Sequence, residues 1–597
     1  MMDITKRSEV ASNDTWDLTP LFVDEKAWEK GMKDLQAEID RAPSFKGKLG
    51  EGKESFLDTF GWYEKTGILA EQLYSWAFLN YAGDASDSTN VKRYSQVGQN
   101  LAQLGANMAY FDPELLAIDN KTITKYLKDP AFASYKVYLE KSRRFKAHVL
   151  SEKEERIMAL QSEVGSTART TFVDLTNVDF DFGTLETEEG TKSLTQSTFS
   201  SFLMSENREL RKKAYKQLYA TYDQHKHTIA RLYEGQVKQD KFSCTARGYE
   251  SCRQKALFPD NVPMSVYDNL IEAVHEALPS LHRYYALRSR LMGLDKLAHY
   301  DVYVPLVAGV QKNTPYEEAV ETIGEALAPL GEEYVSILKK GLTSERWVDR
   351  YENKGKRSGA FSSGCYTGMP YILLNYKEDV LRDLFTLAHE GGHSMHSYYS
   401  ARNNPYFHYD YTIFEAEVAS TFNEQLVAKH LFDTAKDTKT KAFILSKGLD
   451  DIVATLFRQT MFAEFEDITH RLSEEGIPLT VDLLRSEYRK LLELYFGPSV
   501  EFEEESDLEG LRIPHFYSSF YVYKYATGIS AAIALSQKVL NGGEKEKSDY
   551  LAFLKSGGST YPIDSLKKAG VDMEKREPVV MALEHFSSLL DEFEALL

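Results

Sequence analysis

Three cysteines, Cys244, Cys252 and Cys365, are all that the 597 residues contain. So sparse and odd a set excludes a disulfide framework and a cysteine-based zinc site. No uninterrupted apolar run of about 18 residues occurs, so no membrane-spanning helix is expected. The opening stretch "MMDITKRSEVASNDTWDLTPLF" has no apolar segment ending in a cleavage-like site, and no secretion signal is expected. Positive charge is short as well: 71 Lys and Arg stand against 90 Asp and Glu, a net charge of −19. Phosphate binding needs clustered basic side chains, so neither nucleic acid nor an anionic membrane is an expected partner. Repeats and low-complexity linkers are also missing. These absences together point to the cytoplasm.

The composition is 43% hydrophobic and 27% charged, that of an ordinary folded chain large enough for more than one small core. Long mixed segments with few breakers predict helices over 54–80, 88–110 and 133–163, where apolar residues recur at three- and four-residue intervals. Further helices are expected at about 378–400, 412–433, 436–474 and 481–495, from near Tyr517, and from about 577. The fold class is mainly α. Two β elements interrupt it. "VDFDFGTLETEEGTKSLT" (178–195) reads as a hairpin, with "VDFDF" alternating and "TEEG" as its turn. "GAFSSGCYTGMPYILLNY" (359–376) carries glycines and then an apolar run. The expected organisation is an N-terminal helical region over 1–200 and a larger catalytic region over 201–597.

"LAHEGGHSMHS" (387–397) follows directly. No proline breaks it, so it should be helical. Four residues apart, His389 and His393 then share one face, where two imidazoles can reach one tetrahedral zinc ion. Glu390 sits about 100° around, able to reach a water on that ion. With 14 histidines in the chain, roughly 0.03 such patterns would arise by chance. The other His–Glu segment, "HEALPSLH" (275–282), places its histidines about 10 Å apart along a helix and is read as structural. Gly391 and Gly392 cost roughly 1 kcal/mol each in a helix, so something is expected to approach the backbone there, a substrate strand being the best account.

A catalytic zinc needs a third protein ligand and an open position. His396 is too far along the helix and is assigned to support or packing. Glu415 closes a T-x-x-E capping box from Thr412. Glu417, about 200° from Glu415, shares a face with Ser420, Thr421 and Glu424, and is the favoured ligand. Glu424, two turns on, is placed to accept a hydrogen bond from a ligand imidazole.

Amide hydrolysis also needs a group to steady the oxyanion. "IPHFYSSFYVYKYATG" (513–528) offers His515, Tyr517, Tyr521, Tyr523 and Tyr525. The segment "GCYTGMPY", with Gly364, Tyr366 and Gly368, could present an edge to which an extended peptide adds by main-chain hydrogen bonds.

The run "HEGGHSMHSYYS", then "FEAEVASTFNE", resembles the thimet oligopeptidase superfamily and most closely oligoendopeptidase F. "TWDLTPLF", "ARGYESCRQKALFPDNVP", "PYILLNYKEDVLRDLFTLAHE", "RIPHFYSSFYVYKYATGIS" and "SGGSTYPIDSLKKAGVD" extend the likeness over nearly the whole chain. The resemblance implies a zinc metalloendopeptidase acting on internal bonds of short, unstructured oligopeptides. It implies one Zn2+ per chain on His389, His393 and Glu417, Glu390 as general base, and a deep channel between two helical halves. It also implies that His515 and tyrosines, Tyr523 first and Tyr521 second, meet the scissile carbonyl, and that Tyr517 contacts substrate. The chain departs from the family at Gly391, where a bulky residue is usual, and at Leu511, where tryptophan is frequent. Two other classes stay open on residues alone: a helical binding protein with a structural metal, and an exopeptidase on a similar scaffold.

Overall fold

The computed structural model describes residues 4–307 and 313–597. Helices dominate, and none among the described residues is long and apolar enough to cross a membrane. The chain forms two compact units that interleave in sequence. One comprises Met1–Ala147, Gln311–Asp433 and Leu535–Val571; the other comprises His148–Val310, Thr434–Ala534 and Asp572–Leu597. Residue 200, where the sequence suggested a boundary, lies inside the helix Gln196–Leu203 of the second unit.

In the first unit, Glu25–Arg41 starts where Asp24 accepts the N–H of Ala27, and Lys53–Gly83 packs beside Ser88–Asn107. Trp28 stacks on Trp76 at 5.5 Å and donates its indole N–H to the carbonyl of Leu73. This core reaches a three-stranded sheet, because Tyr371 and Leu373 belong to it. Tyr371–Leu373 is the central strand. It runs parallel to Val348–Asp349 and antiparallel to Phe361–Ser363, with Ser362 opposite Ile372. Phe361–Ser363 is therefore an edge strand. The sheet leads directly into the helix Leu381–Asn403, and Ile413–Thr434 follows.

The second unit is built on the 39-residue helix Arg208–Ala246, whose buried face carries Tyr215, Tyr219, Tyr222 and Tyr233. Two clusters of its buried charges are paired. Asp301 accepts from Arg208 and Arg211. Burial opposes ionisation of Glu509, but Arg458 at 2.6 Å, His299 and Arg512 hold its carboxyl down at about 2.

Three expected elements differ. The single helix over 133–163 is two, Lys136–Arg144 and Glu152–Gly165, because Ser151 caps a new start by accepting from Glu154 N–H. The hairpin pairs Thr184–Thr187 with Gly190–Ser193, while "VDFDF" begins in a π turn over Leu175–Asp179. The helix expected from Tyr517 starts at Tyr523 and runs to Asn541.

Candidate metal centre

His389 and His393 lie in mid-helix on one face, as the four-residue spacing requires, with their Nε2 atoms 3.2 Å apart. Glu417 comes from the first turns of the following helix. Its Oε2 stands 3.6 Å from Nε2 of His389 and 3.8 Å from Nε2 of His393. All three donor atoms fall within 4.8 Å of one another. Two imidazoles and one carboxylate converging on one point are the three protein donors of a catalytic zinc site, so the residues fit that ion. Of the candidates for the third position, Glu417 joins the histidines.

The surroundings hold this geometry. Nδ1 of His389 is 2.6 Å from Oε1 of Glu424, which fixes the ring and leaves Nε2 facing Glu417. Burial depresses the pKa of His389, but the hydrogen bond to Glu424 together with the negative charges of Glu424, Glu417 and Glu390 outweighs it, so the pKa is raised. His393 goes the other way: burial pushes it down to about 3. Asn423 donates to the carbonyl of Ala388 and faces the hydroxyl of Tyr334 at 3.3 Å, tying the two helices together. Asn423 lies within the run "FEAEVASTFNE" but was given no role there, and Tyr334 belongs to no quoted motif.

Glu390 is 7% exposed. Its carboxylate accepts the backbone N–H of Ser362 on the edge strand, and its Oε2 has no hydrogen-bond partner among the described residues. Burial, with Glu417 nearby and only partly offset by His389, raises its pKa to about 7. A buried carboxylate oxygen kept without a partner costs stability and is typical of a group held ready for a proton. Glu415 is also buried and pushed up to about 7, but it is bonded to Thr412 and Ser565 and is not part of the three-residue cluster. His396 stacks flat on Tyr411 at 3.7 Å and is likewise apart from it.

The paired glycines have a reason other than the expected one. A Cβ at Gly392 would stand 2.5 Å from the carbonyl oxygen of Ala419 and 2.6 Å from Cα of Ser420. One at Gly391 would meet only Leu338, at 3.3 Å. Gly392 is needed because the two ligand-bearing helices touch backbone to backbone, not because a peptide comes close.

"GCYTGMPY" is also not a strand. Residues 364–370 form the connection between the edge and central strands. Gly364 and Gly368 are crowded by Met369, Pro370, Cys365 and Leu21 of the same unit. Tyr366 gives its hydroxyl to the carbonyl of Asn404. The edge strand of this sheet is Phe361–Ser363.

In the second unit, His515 is half-buried, its ring 6.3 Å from Tyr521 and 5.9 Å from Tyr525, whose hydroxyl is 3.5 Å from Nε2. Tyr525 is among the tyrosines the sequence offers but is not one of the two favoured there. Tyr523, the first choice there, is fully buried against Tyr267, because the helix begins at Tyr523 and turns that ring inward. Tyr517 stacks on Phe172 at 4.3 Å and is 5% exposed, a core position rather than a substrate contact. The segment is pinned from beneath. Phe520 has a positive φ of 58° and donates its N–H to the fully buried Glu466 at 3.0 Å. Ser519 donates to Asp240, which faces His470.

Residues 201–585 match peptidase family M3, and residues 114–182 match Oligopeptidase F. The chain is 43% identical to oligopeptidase PepF of Bacillus subtilis, over 99% of its own length and 88% of that protein. It is 42% identical to an oligoendopeptidase F homolog of Borreliella burgdorferi, covering 99% of both. Its fold is similar to that of oligoendopeptidase-F from Enterococcus faecium, with a TM-score of 0.75 and 34% identity over 96% of this chain and 99% of the other. The convergent His–His–Glu cluster thus sits in a chain that belongs to peptidase family M3, among the oligoendopeptidase F metallopeptidases that hydrolyse oligopeptides.

Proposed function

We propose that the protein is a zinc-dependent endopeptidase that cuts internal bonds of short, unstructured peptides in the cytoplasm, with one Zn2+ held by His389, His393 and Glu417. The observation that carries this is the convergence of those three donors beside Glu390, whose Oε2 has no partner. When bound, zinc supplies a Lewis acid for the scissile carbonyl and lowers the pKa of water. The chain's own residues do the rest. Glu390 Oε2 takes a proton from the attacking water and returns it to the leaving amine nitrogen. Glu424 keeps His389 in one tautomer. The edge strand Phe361–Ser363 offers main-chain partners to an extended peptide, which favours backbone recognition over side-chain sequence. His515 and Tyr521, with Tyr525 now preferred to Tyr523, are given the part of steadying the oxyanion. All these groups fall within residues 201–597, the part proposed as catalytic.

The test is an internally quenched peptide of about ten residues, blocked at both ends. Cleavage lost to a chelator and restored by zinc supports the reading. Trimming of free peptides with no cut in blocked ones would instead indicate an exopeptidase. In Glu390→Gln, turnover should fall by about 10²–10⁴ with zinc still bound, since general-base catalysis contributes that much.

A further inference from the structure

A second recess lies along the same helix as the histidines. It has a volume of about 190 Å³, far above the roughly 10–15 Å³ that admits one water. His393, Ser397 and Ala401 succeed one another at four-residue intervals on one helical face, and the last two line the recess. The edge strand leads to it as well. Ser362 lies beside the metal centre, its hydroxyl 2.8 Å from that of Ser394, and Gly364, two residues on, is in the recess wall. A four-residue helical step is about 6 Å, and an extended peptide advances about 3.3 Å per residue. A side chain two or three residues from the cleaved bond therefore comes level with the opening.

The chemistry of the walls is specific. Tyr398 and Tyr411 supply rings, and Asp410 supplies a carboxylate. Asp410 is open to solvent yet surrounded by protein that raises its pKa, the position of a group on a concave wall. It accepts the N–H of Tyr411, and no cation pairs with it among the described residues. Behind it, Glu71 is also bound by tyrosine, accepting the hydroxyl of Tyr409 at 2.8 Å, and adds negative potential. Arg402 also lines the recess, its guanidinium held 3.6 Å above the ring of Tyr398 rather than on Asp410. The wall is rigid. Gly557 and Gly558 pack under residues 408–410 so closely that a Cβ at Gly558 would collide with the carbonyl of Asp410.

We propose that this recess is a substrate subsite for a lysine or arginine side chain two or three residues from the cleaved bond, and that Asp410 selects it. The inference rests on the peptidase reading above. The ring of Tyr411 suits the stem of such a side chain, and the carboxylate of Asp410 suits its head.

The experiment uses blocked, quenched peptides in pairs, with lysine or norleucine at each of the four positions on either side of the cut. At one position, two or three residues from the cut, lysine should raise kcat/KM. Asp410→Asn should lower that lysine-to-norleucine ratio about tenfold, the range of a hydrogen bond to a charged group. Asp410→Lys should shift the preference at that position to glutamate. A ratio unmoved by both variants, or equal losses for both peptides, overturns the subsite. Failure of the native enzyme to cut any of the peptides would instead refute the endopeptidase reading. The subsite is then read from peptide affinity of the zinc-loaded Glu390→Gln protein by fluorescence anisotropy, native Asp410 against Asp410→Asn.

Discussion

Substituting Gly392 by alanine adds one methyl group where two main chains meet. At 2.5 Å from the carbonyl oxygen of Ala419, the new Cβ has to recede to at least 3.0 Å and, for ordinary contact, to 3.4 Å. The obstacle is backbone, so no side chain can swing aside, and the helices must part by roughly 0.5–0.9 Å. Glu417 lies two residues before Ala419 and travels with it. Metal–ligand bonds tolerate about 0.2 Å, so the displacement is several times what the site can absorb. Overpacking costs about 1–3 kcal/mol, and the better helix propensity of alanine returns about 1. The expected result is a modest loss of stability with a loss of zinc affinity of about 10–100-fold, the scale reported for disturbed ligand supports. Gly391→Ala is the internal control, because it meets only the end of Leu338. It should leave zinc affinity alone and raise stability by up to about 1 kcal/mol. Zinc titration against a competing chelator, with thermal unfolding of both variants without metal, measures each quantity. Equal zinc affinity in the two variants would refute the reasoning.

Three further outcomes are expected. Glu424→Ala frees Nδ1 of His389 and should lower zinc affinity about 10–100-fold, with Glu424→Gln recovering part of the loss; the same chelator competition reads it. Glu466→Ala leaves the buried N–H of Phe520 without an acceptor, at a cost of about 1–3 kcal/mol in urea unfolding, whereas Glu466→Gln keeps the bond and should be mild. Tyr521→Phe and Tyr525→Phe should each lower kcat more than Tyr523→Phe does, because only the first two rings flank His515; a larger effect at Tyr523 would restore it as the contact.

What could be read from the sequence was what depends on local periodicity. The spacing of His389 and His393, the opposed faces of Glu415 and Glu417, and the reach of Glu424 all follow from 3.6 residues per turn. The rest depended on neighbours distant in sequence. The need for glycine at 392 is set by Ala419 and Ser420, so the pattern could show a cost but not its cause. Gly364 and Gly368 were read as strand because they precede the apolar run at Tyr371, although two glycines in five residues are turn signals. Tyr523 came first on the resemblance, which does not fix where the helix starts. Beginning it at Tyr523 rotates that ring into the core and leaves Tyr521 outside the helix. Asp410 belongs to no motif and stands out only where Ser397, Tyr411 and Gly558 surround it.

The contact at Gly392 bears on how such a site persists while the sequence around it changes. Most gaps between helices are set by whatever side chains fill them, and they drift as those are replaced. Here main chain rests on main chain, so the distance from His393 to Glu417 is fixed by atoms common to every residue. The chain and its Bacillus subtilis relative differ at more than half of their aligned positions. A spacer made of backbone lets the surrounding side chains turn over without altering the gap between the helices, as long as position 392 stays bare. It also means that retuning this centre for a larger ion by exchanging side chains between the helices would have little to act on.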